Sequence, residues 1–264
     1  MIKKLKILVS VLLAFGIGIA YGADNSIYID QSGDNSTIAV TQDGAGNVVR
    51  GIQGVGTSNT TPSRIVGDGN QVSVSQIGSG NVLSMGINTT IAGGSAAAGN
   101  FTYSVTGNSA TAVINSNQGG AGTSASNMVS VTQTGNTANA NINVLGTTNS
   151  LTAVTAGGAN NSVISTINGD NNVQDMSMTG GGGNSATISQ TGTASTLSLT
   201  SVGATNTYSV TQSGGGSTGH STTLDFTGSS NTATITQAGT AADSIVNVKS
   251  VGSTNTFTIN SNTR

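Results

Sequence analysis

The chain contains no cysteine and no tryptophan, one proline and one histidine, and only 6% of its residues are charged. Its nine acidic residues are all aspartate. Catalytic sites are usually built from clusters of ionisable side chains, which such a composition hardly supplies. The absence of cysteine also excludes disulfide bonds as a source of stability. We therefore expect no enzyme, no cofactor, no metal centre and no small-molecule substrate.

Positive charge is scarce as well. Seven basic residues stand against nine acidic ones, so the formal net charge is −2. Lys3, Lys4 and Lys6 lie in the first six positions. Without that segment, four basic and nine acidic residues give a net charge of 4 − 9 = −5. A nucleic-acid backbone is recognised by clustered basic residues. The sequence therefore predicts no nucleic-acid partner.

The N-terminal segment has the pattern of an export signal. A basic start, Met1–Lys6, is followed by an apolar run of 14 residues at 7–20, and Ala20 and Gly22 place small residues before a cut after Gly22. A membrane-spanning helix needs about 20 apolar residues. We predict that residues 1–22 are a cleaved secretory (Sec) signal peptide and that residues 23–264 form a single repeat domain.

A repeat of alternating residues begins at Asn25. Its unit is an Asn, apolar residues four and two positions before a Gln, and then Gln-x-Gly, as in NSIYIDQSG at 25–33, NQVSVSQIG at 70–78 and NTATITQAG at 231–239. Weaker units without Gln lie between them. Two strands and two turns make a full repeat of about 22–25 residues. The pattern is less regular at 53–66, 86–126 and 147–180.

Alternation assigns the side chains of a unit to two faces, because successive residues of a strand point in opposite directions. The apolar pair is expected to face inward, since burying Ile or Val stabilises by roughly 1.5–3 kcal/mol. The Asn and Gln of the same unit then also face inward, where an unpaired amide costs a few kcal/mol. We therefore predict amide ladders between stacked repeats. The predicted ladder residues are Gln31, Gln42, Gln76, Gln133, Gln190, Gln212, Gln237, Asn70, Asn127, Asn184, Asn206 and Asn231.

The predicted fold is an all-β solenoid of stacked strand-turn-strand repeats, with two facing parallel sheets. Layers of such a stack are about 4.8 Å apart and the sheets about 10 Å apart. The predicted core is Ile27, Ile29, Ile38, Val40, Val72, Val74, Val129, Val131, Ile188, Tyr208, Val210, Ile235, Phe257 and Ile259. The predicted turn residues are Gly33, Gly44, Gly78, Gly135, Gly192, Gly214 and Gly239.

These units resemble the repeats of the curlins, the subunits of curli fibres. The family repeat is a Ser, five residues, Gln-x-Gly, a short turn, an Asn and a second strand. The matching residues are Ser36, Gln42, Gly44 and Asn47, and then Gln76, Gly78 and Asn81. Elsewhere Asn takes the place of Ser, and the Gln of the second strand is mostly absent.

The resemblance implies a subunit, either major or nucleating, of an extracellular fibre on a Gram-negative bacterium. It also implies export through a dedicated outer-membrane channel, a nucleating subunit as a further partner, and roles in adhesion and biofilm matrix. Independently of the resemblance, strands begin and end close to both ends of the predicted domain without an evident cap. Open strand edges template further strands. The main hypothesis is therefore a homopolymeric amyloid-like fibre.

An alternative is a soluble, monomeric β-solenoid that binds ice or acts as an adhesin-like module. Rows such as Thr232-Thr234-Thr236 and Thr207-Ser209-Thr211 would present regular hydroxyl groups outward. They are also the usual polar face of a strand. His220 stands in a Gly/Ser loop with no Cys or Glu beside it, so no catalytic or metal-binding role is predicted for it.

Overall fold

The structure, a computed structural model, describes residues 24–54, 56–89, 98–117, 127–214, 219–239 and 243–262. The predicted signal peptide lies outside these ranges. Regular secondary structure in the described part consists of β-strands alone. No helix capable of crossing a membrane occurs among the residues described.

The strands are short and most have seven or eight residues. They are β1 (Ser26–Ile27), β2 (Ile29–Ser32), β3 (Thr37–Asp43), β4 (Val48–Arg50), β5 (Ser63–Val66), β6 (Gln71–Ile77), β7 (Val82–Asn88), β8 (Asn100–Thr106), β9 (Thr111–Asn117), β10 (Met128–Thr134), β11 (Asn139–Leu145), β12 (Ser150–Ala156), β13 (Ser162–Asn168), β14 (Val173–Thr179), β15 (Ser185–Gly192), β16 (Thr196–Val202), β17 (Thr207–Gly214), β18 (Ser221–Thr227), β19 (Thr232–Gly239), β20 (Ile245–Val251) and β21 (Thr256–Asn262).

From β6 onward, successive strands alternate between two parallel sheets. Sheet A contains β1, β2, β4, β5 and the odd-numbered strands from β7 to β21, and sheet B contains β3 and the even-numbered strands from β6 to β20. Each strand pairs in parallel with the equivalent strand of the next coil, so that Ser185 pairs with Thr207 and Thr207 with Thr232. The result is a β-solenoid of about nine turns with about 24 residues per coil. The predicted fold class is confirmed.

We use the word rung for the strand, or the interrupted pair of strands, that occupies one level of a sheet. Two rungs of sheet A are interrupted. Strands β1 and β2 form one rung, whose Ser26 pairs with Val48 of β4 and whose Ile29 pairs with Ser63 of β5. Strands β4 and β5 form the next rung, and the described residues between them, 51–54 and 56–62, are mostly exposed. Both halves of this second rung pair with β7, in line with one another.

The core lies between the two sheets and follows the alternation of each strand. The interior rungs bury Val72, Val74, Val129, Val131, Ile188, Tyr208, Val210 and Ile235 of the predicted core. The end rungs have a neighbour on one side only. Of their inward apolar side chains, Val246 and Val248 of β20 are buried, and those of the other three end rungs are half-buried against the core. These are Ile27, Ile29, Ile38, Val40, Phe257 and Ile259.

Glycines occupy the turns because neighbouring coils approach too closely for a side chain. All seven predicted turn glycines have positive φ, with Gly33 at 125° and Gly192 at 127°. L-residues with side chains rarely adopt this conformation. A Cβ on Gly228 would also overlap the carbonyl oxygen of Gly252, the equivalent residue of the next coil. Backbone conformation and coil spacing therefore both require glycine at this position.

The substitutions Gly228→Ala and Gly252→Ala separate these two requirements. The two residues have similar φ values of 107° and 111°, but a Cβ on Gly252 would meet nothing closer than Asn255 Nδ2 at 3.8 Å. We expect Gly252→Ala to lower the free energy of unfolding by about 1–3 kcal/mol through backbone strain. Gly228→Ala should cost about 1–3 kcal/mol more, because the coils must also separate. Urea unfolding followed by circular dichroism measures both, and equal losses would contradict the role of coil spacing.

Candidate functional site

The inward glutamines form two short ladders, one in each sheet. In sheet B, Nε2 of Gln42 donates to Oε1 of Gln76 at 2.7 Å. In sheet A, Gln190 donates to Gln212 at 2.7 Å, and Gln212 donates to Gln237 at 3.0 Å. Every bond runs the same way, from one coil to the coil nearer the C-terminus. The ladders therefore have a direction along the solenoid.

Gln31 belongs to neither ladder, which corrects its prediction as a ladder residue. It lies in the N-terminal rung of sheet A, where its register neighbour is Ile65. Its Nε2 donates instead to the carbonyl oxygen of Gly33 at 2.7 Å. The nearest glutamine along the chain, Gln42, lies in the opposite sheet, because consecutive strands alternate between the sheets.

Gln133 is also outside the ladders, for a related reason. Its register neighbours in sheet B are Val105 and Thr155, so no amide lies directly above or below it. The hydroxyl group of Tyr103 donates to its Oε1 at 2.8 Å, and its Nε2 has no partner among the described residues. The prediction that it forms an amide ladder is wrong, although the side chain is buried as expected.

The asparagines form longer ladders than the glutamines, at the corners of the solenoid. We call the residue immediately before a rung its corner residue. The A-corner, before the rungs of sheet A, holds Asn161, Asn184, Asn206, Asn231 and Asn255 in successive coils. The backbone N–H of Asn206 donates to Oδ1 of Asn184 at 3.0 Å, and that of Asn231 donates to Oδ1 of Asn206 at 2.9 Å. Each amide thus accepts a bond from the next coil.

The other end of each corner amide also reaches the next coil. Nδ2 of Asn206 donates to the carbonyl oxygen of Gly228 at 3.1 Å, and Nδ2 of Asn231 donates to that of Gly252 at 3.2 Å. A single side chain therefore satisfies both a buried N–H and a turn carbonyl of its neighbour. Buried backbone groups without partners are costly, and these asparagines provide the partners in turns where no sheet hydrogen bond is available.

Asn70 and Asn127 lie at the other corner, before the rungs of sheet B, and not with Asn184, Asn206 and Asn231. Oδ1 of Asn70 accepts from the N–H of Gly99 at 3.1 Å, and Oδ1 of Asn127 accepts from the N–H of Asn149 at 2.9 Å. Both corners have further members that were not predicted as ladder residues. They are Asn25, Asn47, Asn81, Asn149, Asn161, Asn172 and Asn255. Their common signal is an Asn directly before an alternating strand.

His220 occupies a corner position of sheet B and is buried. Its Nδ1 lies 3.2 Å from the backbone nitrogen of Ser244, which can only donate, and its Nε2 lies 3.1 Å from the carbonyl oxygen of Ser213. These contacts require the neutral tautomer that carries its proton on Nε2. The histidine thus replaces the corner asparagine. Among the described residues, no three His, Cys, Asp or Glu side chains are close enough to hold a metal ion.

Two tyrosines place hydroxyl groups inside the solenoid. Burial raises the pKa of Tyr208 to about 12, although its hydrogen bond with Ser201 at 2.8 Å acts in the opposite direction. Burial also raises the pKa of Tyr103 well above its usual value. Both side chains therefore stay protonated at neutral pH and contribute hydrogen bonds rather than charge. The ring of Tyr208 lies 5.0 Å from that of Phe226, measured between centroids.

Both ends of the solenoid present open strand edges. Within the described residues, the rung of β1 and β2 and the strand β21 each pair on one side only in sheet A, and β3 and β20 do so in sheet B. Open edges of this kind can accept a further strand. The inward apolar side chains of β1, β2, β3 and β21, such as Ile27 and Ile259, are half-buried. The end rungs therefore combine unpaired backbone with apolar surface.

The outer face of sheet A is uniform over its C-terminal coils. Thr207, Thr232 and Thr256 lie one above another, and Ser209, Thr234 and Thr258 form the next column. From β9 to β21 the outward positions of this sheet carry no charged side chain among the described residues. The outer face of sheet B differs, since Asp225 and Lys249 form an exposed ion pair there at 3.6 Å. The two faces thus offer different surfaces to a partner.

Comparison of the chain with models of known protein families and with characterised proteins finds no match.

Gln212→Leu and Gln174→Leu test whether the ladders stabilise the fold. Gln212 accepts from Gln190 and donates to Gln237, whereas Nε2 of Gln174 has no partner among the described residues. We expect Gln212→Leu to lower the free energy of unfolding by about 1–3 kcal/mol, because it leaves buried amide groups unpaired. Gln174 lies between Leu151 and Leu197, and its Oε1 accepts a hydrogen bond from Ser165 Oγ. Combining Gln174→Leu with Ser165→Ala removes both partners of that bond, so stability should change by less than about 1 kcal/mol. Equal effects in urea unfolding would argue against a special role for the ladder.

Proposed function

We propose that the protein is a secreted structural subunit that assembles end to end into extracellular fibres, and is not an enzyme. The observation that carries the proposal is the pair of open edges in sheet A, which lie at opposite ends and match in register. A head-to-tail stack would continue the same parallel pairing that joins neighbouring coils. The resemblance of the repeats to curlins supports the same function, with roles in adhesion and biofilm matrix at the surface of a Gram-negative bacterium.

The match is clearest when β21 is aligned with the β1–β2 rung of the next copy. Continuing the register of Asn231 and Asn255 places Asn255 beside Asn25 of that copy. Phe257 then lies over Ile27, and Ile259 over Ile29. These four apolar side chains are half-buried in the monomer, so stacking would bury them further.

The corner ladder supports the same arrangement. In every coil from Asn184 to Asn255, the N–H of one asparagine donates to Oδ1 of the preceding one. The backbone N–H of Asn25 in the next copy would make the same bond to Oδ1 of Asn255. Because all these bonds run in one direction, two C-terminal ends cannot complete each other. The fibre should therefore be polar, with each subunit adding in the same orientation.

The partners that follow are other copies of this chain. By its resemblance to curlins, the proposal also includes a nucleating subunit and an outer-membrane secretion channel. Nucleic acid and small-molecule substrates have no part in it. The chain itself serves either as the major subunit or as the nucleator.

Fibre formation is tested with the exported protein, recovered after expression of all 264 residues. We expect a rise in thioflavin fluorescence without seeds, and fibres that diffract at about 4.8 Å along the axis and about 10 Å across it. A protein that stays monodisperse for days with no such reflections would overturn the proposal. Mass spectrometry of the same sample shows whether residues 1–22 have been removed.

A matched pair of variants tests whether β21 is the growing edge. Ile259→Lys places a charge on the inward side of β21, and Thr258→Lys places the same charge on its outward side. We expect Ile259→Lys to prevent elongation while the monomer stays folded, because an inward charge at an edge opposes strand addition. Thr258→Lys should still form fibres. Elongation of both variants at the rate of the unaltered protein would rule out this edge.

A second candidate function is a monomeric binding module, ice-binding or adhesin-like. The stacked Thr and Ser columns on sheet A favour it, as with Thr207, Thr232 and Thr256. Rungs lie about 4.8 Å apart, and alternate residues of a strand lie about 6.6–6.8 Å apart. Hydroxyl groups on such a flat, uncharged lattice can order water.

Thr234→Lys and Thr223→Lys test whether ice binding belongs to the outer face of sheet A in particular or to any polar face of the solenoid. Both residues are exposed and outward-facing, but Thr234 lies on sheet A and Thr223 on sheet B. If the sheet A lattice binds ice, the unaltered monomer shows thermal hysteresis, which Thr234→Lys abolishes and Thr223→Lys preserves. Hysteresis that is absent from the monomer, or that both variants reduce alike, would exclude ice binding by this lattice.

A further inference from the structure

The two sheets have different numbers of rungs. Among the described residues, sheet A has twelve strands, of which two pairs form interrupted rungs, so it has 12 − 2 = 10 rungs. Sheet B has nine strands and nine rungs. The described solenoid thus begins with a rung of sheet A, β1–β2, and ends with another, β21.

This difference has a consequence for any head-to-tail stack of two copies. If β21 pairs with the β1–β2 rung of the next copy, sheet A continues without a break. In sheet B, however, β20 of one copy and β3 of the next are then two rung spacings apart, about 9.6 Å. This distance holds one additional strand. This separation follows from the numbers of rungs alone. It is therefore the same wherever in each coil the chain steps from one level of the solenoid to the next.

Resting on the proposed fibre, we infer that each junction between subunits contains a strand-sized gap in sheet B, which binds one extended segment of a second polypeptide. The alternative junction would pair β20 directly with β3, and two rungs of sheet A, β21 and β1–β2, would then compete for one level. Releasing the β1–β2 rung resolves that conflict but removes Ile27 and Ile29 from the core. An occupied gap retains both side chains and adds two strand pairings.

The lining of the gap defines the chemistry of its occupant. On one side, β20 presents Val246, Val248 and Ser250 inward. On the other, β3 presents Ile38, Val40 and Gln42 inward, and Nε2 of Gln42 already donates to Gln76. The occupant is therefore a parallel strand of about seven residues, with two β-branched apolar residues and then an amide or hydroxyl on its inward side.

Strand β10 of sheet B, together with the residue before it, matches this description. Residues 127–134 (NMVSVTQT) carry Val129, Val131 and Gln133 on the inward side. A peptide of this sequence serves as the probe. The control peptide replaces the two inward valines by aspartate, corresponding to Val129→Asp and Val131→Asp, and leaves the outward residues unchanged.

Fibres of the exported protein are grown with each peptide and examined by helical reconstruction in cryo-electron microscopy. With the probe, we expect a rise of about 48 Å per subunit, from ten rungs at about 4.8 Å, and one bound peptide per subunit. The control peptide should be absent from the fibres. Because the probe completes sheet B, it should also shorten the lag before elongation, whereas the control should not.

The outcomes separate this inference from the proposed function. Fibres with a rise of about 43 Å, from nine rungs, would show that the β1–β2 rung is released and would overturn the gap. Fibres of either rise that exclude the probe, or bind it only at their tips, would also overturn it while leaving the fibre intact. A protein that forms no fibres with or without the probe refutes the proposed function itself.

Discussion

The structure depends on the placement of like residues over like in successive coils. Each inward amide has hydrogen-bonding groups that water would otherwise satisfy, and in this narrow core the neighbouring coil is the main source of partners. Gln212, between Gln190 and Gln237, shows the complete case. Where the column breaks, as at Gln133, a buried Nε2 is left without a partner among the described residues. The hydrogen bonding of the buried amides therefore depends on the register between neighbouring coils.

The corners extend this constraint beyond the sheets. Strands satisfy their backbone groups by sheet pairing. The turns, which lie in contact, make some backbone bonds to the neighbouring coil, such as that from the N–H of Ser230 to the carbonyl oxygen of Ala204, and leave other groups to side chains. The corner asparagines bridge coils with both ends of the amide, as Asn206 does with Asn231 and Gly228. Glycine at the turn and asparagine before the strand thus act together, and they allow the coils to stack closely with few charged groups. His220 shows that another side chain with a suitable acceptor can take the same place.

The constraint that holds the coils together also leaves the ends incomplete. A rung inside the solenoid has a neighbour on each side, whereas the described end rungs have one, and Phe257 and Ile259 remain half-buried there. The interactions that would bind another copy are of the same kind as those within the chain. This continuity underlies the proposed fibre. Because the two sheets have unequal numbers of rungs, a different partner can pair with the open edges of each sheet.

Strand period, inward and outward faces and turn positions could be predicted from the sequence wherever the repeat is regular. These features are local: Ile235 and Gln237 share a face because they are two residues apart, and Gly192 lies in a turn because few other residues adopt its backbone conformation. The corner role of residues such as Asn149 was missed, since no Gln-x-Gly follows their strand. Its bond to Asn127 becomes visible only when the two coils are superimposed.

The sequence by itself therefore determined that this chain forms alternating strands with apolar and amide side chains on one side. Only the tertiary structure decided which repeat lies over which. It assigned Gln42 and Gln190 to different sheets, and it showed that β4 and β5 form one rung although the mostly exposed residues 51–54 and 56–62 lie between them in the chain. The physical reason is that register is a long-range property, set by the whole length of each coil and by its insertions, whereas a side chain's face depends only on its nearest neighbours in the chain.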